Sequence, residues 1–140
     1  MEHLNVFQPD KYLLKDFKHW VVLQRHKYGQ LTLGASILCL KRNVPSLADM
    51  TSEESAELQK VVAWFENKTK SLYGAEKFNY MALMMKDPFV HFHAFPRYSK
   101  VIERHGRQWH DQSWPVAVRV DLPVEVDDET LHKVLIEMKE

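Results

Sequence analysis

The sequence predicts an α+β fold, an antiparallel sheet of about five strands with one main helix packed on a face. Three observations carry this reading. Two pairs of strand-like runs are each joined by a polar turn. A strongly marked amphipathic helix lies between the pairs. No internal repeat, linker or low-complexity tract interrupts the 140 residues, a length that suits one domain able to bury roughly 68–70% of its unfolded surface. We therefore expect a single domain over residues 1–140, with its core at about 12–100 and a C-terminal loop and helix at about 101–140.

The elements follow in order. Tyr12 to Arg25 and Leu31 to Lys41 are rich in aromatic and branched residues and flank Tyr28-Gly29-Gln30, which reads as a hairpin with a loose turn. Trp20 reads as core. Gly34 would weaken the second run unless something approaches its backbone closely. Thr51 and Glu54 have the spacing of a capping box. Leu58, Val61, Val62, Phe65 and Leu72 then form one apolar stripe, and Gly74 is a natural stop, so a helix is expected over 51–73. Phe78 to Met85 and Phe89 to Tyr98 read as a second antiparallel pair around Lys86-Asp87-Pro88. Residues 99–115 read as loop and Val116 to Val120 as a short strand. Asp127 or Asp128 can cap a last helix that carries Leu131, Val134, Leu135 and Met138 on one face.

Composition narrows the function classes. Lysine plus arginine equals aspartate plus glutamate at 19 each, which speaks against a general nucleic-acid binder. The one cysteine, Cys39, sits in an apolar run and reads as a small buried hydrophobe. No apolar stretch approaches the ~20 residues of a membrane span. The first residues lack the basic and apolar regions of a signal peptide. A cytoplasmic location is the expectation.

The informative stretch is Phe89-Val-His-Phe-His-Ala-Phe-Pro-Arg97. On a strand, alternate residues share a face. Phe89, His91 and His93 therefore share one face, and the core-like Val90, Phe92 and Ala94 share the other. Two imidazoles side by side admit three readings. They could bind a metal, with His105, His110, Asp111 or Asp87 completing the set. They could be structural. Or one could act as a nucleophile or general acid/base, its pKa lying near neutrality.

Val90-His-Phe-His-Ala-Phe-Pro-Arg97 resembles the signature of the histidine-triad superfamily, in which three histidines alternate with apolar residues. The Pro96-Arg97 extension resembles its diadenosine polyphosphate hydrolase branch. The order of hairpin, capped helix, asparagine-bearing strand, turn and motif strand is similar too, over roughly residues 12–100. The resemblance implies that His91 is the middle histidine and the nucleophile, and that His93 is the last. Phe89 stands where the family has its first histidine, which there supports the nucleophile. The family's Gly-Gln or Gly-Ser turn is replaced by Met84-Met85-Lys86-Asp87-Pro88.

By this resemblance His91 attacks the α-phosphorus of a nucleotide conjugate, and water hydrolyses the nucleotidyl-histidine. Dinucleoside polyphosphates and nucleoside phosphoramidates are both candidate substrates. The other ring nitrogen of His91 should donate to a backbone carbonyl, and His93 should bind phosphate or assist proton transfer. Asn79 is the implied phosphate- or ribose-side ligand, with a strand-end polar group as its alternative. Gln24 falls where the ribose contact is expected. Arg97 either attracts polyphosphate or solvates the strand end, and Lys86 either contacts phosphate or is an ordinary turn lysine. Trp109, His110, Trp114 and Pro115 could close over the site, cover the sheet or lie in a dimer contact. No metal or other cofactor is required at the nucleophile, although a divalent cation can accompany a polyphosphate. A homodimer is implied. Two alternatives remain: a nucleotide-binding module without catalysis, and a metal-binding protein using His91 and His93.

Overall fold

The computed structural model describes residues 1–139. Its main sheet has five antiparallel strands in the order β1-β2-β3-β5-β4. These are β1 (Leu13–Asp16), β2 (Trp20–Gln24), β3 (Ser36–Leu40), β4 (Lys77–Met81) and β5 (His91–Arg97). A single-turn helix α1 (Pro9–Tyr12) precedes β1, α2 (Ser52–Tyr73) joins β3 to β4, and α3 (Asp128–Lys139) ends the described chain. The fold class is the expected one.

The main helix forms for the reasons legible in its sequence. The Thr51 hydroxyl accepts from the Glu54 N–H at 3.1 Å, and the Glu54 carboxylate accepts from the Thr51 N–H at 2.8 Å. This reciprocal cap satisfies two free donors of the first turn. Gly74 closes the helix in the left-handed conformation. Val61 and Phe65 are fully buried, with Leu58, Val62 and Leu72 packed beside them. Phe65 meets Phe78 and Tyr80 edge-on at 6.2 and 6.4 Å, and the Trp20 indole N–H donates to the Glu54 carbonyl. Together these seat α2 on the sheet face that presents Trp20, Phe78 and Tyr80. Gly34, at φ +89°, faces α2, and a Cβ there would lie 3.2 Å from Thr69 Cγ2. This is the close approach that its place in the chain implied.

Several boundaries differ from expectation. The run from Tyr12 divides into α1, β1 and β2 because Phe17–His19 turns the chain, so five strands are reached here rather than at Val116–Val120. Those residues form no strand: Arg97 draws the Val116 carbonyl in instead, at 2.7 Å. Strand β3 begins at Ser36 rather than Leu31, since the Gly34 turn precedes it. Strands β4 and β5 are shorter than predicted, leaving 82–90 as a loop. The expected loop at 99–115 contains a small hairpin, β6 (Ile102–Arg104) and β7 (Arg107–Trp109). Its two turn residues, His105 and Gly106, both have positive φ, the requirement of a tight primed hairpin turn. The last helix starts as predicted, with the Asp127 carboxylate accepting from the Thr130 N–H at 3.0 Å.

Candidate active site

Register assigns the faces. His91 pairs with Cys39 and His93 with Ile37, and those partners pair in turn with Val21 and Leu23. Directly paired residues share a face, so the histidines lie on the face opposite α2. Their side carries a cleft of about 360 Å³, lined by Phe7, Arg25, His26, Ile37, residues 83–87, His91, His93 and Val120. A hollow of about 420 Å³ near Asp111 and Val118 contains no imidazole.

His91 is only 2% exposed. Its Nδ1 lies 2.7 Å from the Phe89 carbonyl. A carbonyl can only accept, so Nδ1 carries a proton, and in the neutral ring the lone pair is on Nε2. This is the tautomer a nucleophilic imidazole needs. The Phe89 ring lies 5.2 Å from the His91 ring, with Phe7 and His3 on its other sides at 5.7 and 5.0 Å. Phe89 therefore faces the same side as the histidines, as alternation predicts. An aromatic cluster, anchored by His3 Nε2 donating to the Leu40 carbonyl, occupies that side of His91.

His93 stands edge-on to His91 at 5.1 Å, and among the described residues its buried Nδ1 has no hydrogen-bond partner. Burial, reinforced by the nearby Arg25, His91 and His26, pushes its pKa down to about 3. The resting ring is therefore neutral rather than a cation. A stability prediction follows. The unfolded ring takes a proton near pH 6.5 and the folded ring only near 3. The unfolded state thus binds more protons between these values, and stability contributed here is lost as pH falls through that window. Thermal melts of wild type and His93→Asn at pH 7.5 and 4.5 should show the variant losing less on acidification. Equal losses would remove His93 as the cause.

Of the substrate-binding candidates, Lys86 alone lines the cleft with the histidines. Gln24 is a correction. It pairs with Ser36 on the α2 side of the sheet, is 2% exposed, and its Nε2 donates to the Leu131 carbonyl at 2.9 Å. The sheet stands between it and the histidines, so it does not reach a ribose bound in their cleft. Asn79 and Arg97 share the histidine face but lie farther along it. Arg97 is six residues from His91, about 20 Å of strand. Its guanidinium takes the Asp111 carboxylate in both arms, at 2.6 and 3.0 Å, and also donates to the Asn79 side-chain oxygen. Arg97 is thereby committed to tying residues 111–116 to the sheet, which corrects its assignment to substrate, and Asn79 supports Arg97 through its side-chain oxygen. Trp109 is likewise buried in the core, its N–H donating to the Arg104 carbonyl.

The metal reading gains no support from the donor set. Asp111 is held by Arg97 and His105 by Glu137, and among the described residues no group of three or more His, Cys, Asp or Glu side chains is placed to hold an ion. Two cleft residues were not anticipated. Arg25 and His26 follow β2, where alternation alone could have shown that Arg25 shares the face of Leu23. Cys39 is fully buried, as predicted, and burial raises its thiol pKa. No helix among the described residues is long and apolar enough to cross a membrane.

No family model matches the chain, and no curated protein matches it in sequence. Solved structures do match its fold. A hypothetical histidine triad nucleotide-binding protein from Sulfolobus tokodaii strain7 is similar at a TM-score of 0.73 and 13% identity, over 99% of this chain and 89% of that one. A histidine triad protein from Marinobacter aquaeolei VT8 gives 0.72 and 19%, over 96% and 90%. One from Sinorhizobium meliloti 1021 gives 0.70 and 19%, over 99% and 92%. The fold is that of histidine-triad proteins.

Proposed function

We propose that this chain is a nucleotide hydrolase or nucleotidyl transferase of the histidine-triad superfamily, acting at the α-phosphate through His91. One observation carries the reading: an imidazole whose tautomer is held by a backbone carbonyl, its ring 5.1 Å from a second imidazole that lines the same cleft. In the first step His91 Nε2 forms a bond to phosphorus while the bond to the leaving group breaks, and the leaving group departs with that electron pair. The resulting ring cation keeps its Nδ1–H bond to the Phe89 carbonyl. In the second step water attacks phosphorus and releases a proton to solvent, the N–P bond breaks, and a nucleoside monophosphate leaves as Nε2 recovers its lone pair. In this reading His93, a neutral ring lining the same cleft, holds a non-bridging oxygen as charge develops there. Lys86 adds positive charge at the cleft wall. The protein needs no metal for these steps in this reading, and a divalent cation enters only with a polyphosphate. Assembly as a homodimer is part of the same proposal.

The test is a panel of diadenosine polyphosphates and an adenosine phosphoramidate, read for turnover and, after rapid quenching, for a nucleotidyl mass added to the peptide containing His91. Turnover with the adduct is expected. Binding of AMP without turnover or adduct would replace this reading by a nucleotide-binding module, for which the substitution at Phe89 is the motivating observation.

A further inference from the structure

Arg25 is a cleft cation that is both largely buried and, among the described residues, left without a side-chain hydrogen-bond partner. Among the described residues its buried Nε and Nη1 have no hydrogen-bond partner. Its backbone, by contrast, is tightly held. The Arg25 N–H donates to the Ala35 carbonyl at 3.0 Å, and the Gln30 side-chain amide donates to the Arg25 and Ala35 carbonyls at 2.9 and 2.8 Å. The following loop folds over the side chain closely enough that a Cβ at Gly29 would lie 3.0 Å from Arg25 Nε. The guanidinium rests over the Phe95 ring, 5.0 Å from its centre. Burial lowers its pKa to about 10, so the fold works against its charge. A guanidinium fixed at its base, desolvated and unpaired is a preorganised anion receptor.

Its position identifies which anion. Along β5 the order on the cleft face is His91, His93, then Phe95 beneath Arg25. From His91 to Phe95 is four residues, about 13 Å of strand, more than the single phosphate bonded to His91 would span. We propose that Arg25 is a specificity-determining residue that binds a second anionic group beyond the reacting phosphorus, so that the cleft prefers nucleoside polyphosphates and their conjugates to substrates with an uncharged leaving group. The orientation rests on His91 as the nucleophile, whereas the pairing of Arg25 with a second phosphate does not.

The experiment measures the affinity of the full chain for AMP, ADP and ATP by calorimetry, for wild type, Arg25→Met and Arg25→Lys, with thermal melts of each. Wild type should bind ADP and ATP more tightly than AMP. Arg25→Met should lose roughly tenfold or more for ADP and ATP, under about threefold for AMP, and melt no lower than wild type. Arg25→Lys should recover part of the loss. An equal loss for all three nucleotides would place Arg25 on the reacting phosphate or in the shape of the site, and overturn the proposal. No loss, or no measurable affinity for ADP and ATP in wild type, would overturn it too, leaving Arg25 as packing on Phe95. These affinities need no turnover, so a failure of the His91 chemistry and a failure of the Arg25 pairing are read separately.

Discussion

His91→Ala is expected to lower turnover of the best substrate about a thousandfold, a loss of ~4 kcal/mol of transition-state stabilisation. The loss should fall on kcat, with nucleotide affinity changed much less, because removing the ring removes the bond to phosphorus while Arg25, Lys86 and His93 remain at the cleft. The nucleotidyl adduct should vanish with the activity. His93→Ala should cost less, since it removes a contact to the phosphoryl oxygens rather than the group that bonds to phosphorus. Single-turnover kinetics on the two variants separate the cases. An active His91→Ala enzyme, or equal losses in both, would sink the assignment of nucleophile and neighbour.

The second large effect concerns stability. Arg97→Leu is expected to destabilise the chain by about 3–5 kcal/mol, the cost of leaving one partner of a buried ion pair without the other. The side chains of Arg97 and Asp111 are 3% and 1% exposed, so the stranded carboxylate would have little water to turn to. The same substitution releases the Val116 carbonyl and the Asn79 oxygen from their donor. Urea unfolding measures this. Activity assayed well below the transition should change little, because Arg97 does not reach the cleft. A stable Arg97→Leu chain with a raised KM for polyphosphate would instead restore the substrate role that the pattern Pro96-Arg97 first suggested.

These two residues show where sequence reading succeeds and where it stops. Both belong to one short motif, and both were candidates for the site. Alternation placed His91 beside His93 and opposite Phe92, since a strand permits only two faces. It also placed Arg97 on the histidine face, but parity says nothing about distance or partners. Asp111 lies 14 residues later, in a polar segment with no periodicity, and only the folded chain brings it onto Arg97. Gln24 and Arg25 make the same point in reverse. As strand neighbours they had to point opposite ways. Which of them met the cleft depended on which face α2 and α3 cover, and position along the hairpin favoured the wrong one.

Signals within a few residues of one another were enough to define the capped helix at Thr51, its glycine stop, the last helix, the α+β class and the paired imidazoles, because each is a matter of local hydrogen bonding or side-chain period. Long-range packing alone decided the rest. It divided the first strand run in two, turned 102–109 into a hairpin and used Arg97 as an internal clamp. It also left Arg25, among the described residues, without a partner for its buried Nε and Nη1 beside the histidines. Burial and partnership are properties of elements in contact, and a charged side chain reads the same in sequence whether the fold satisfies its charge or leaves it free for a ligand.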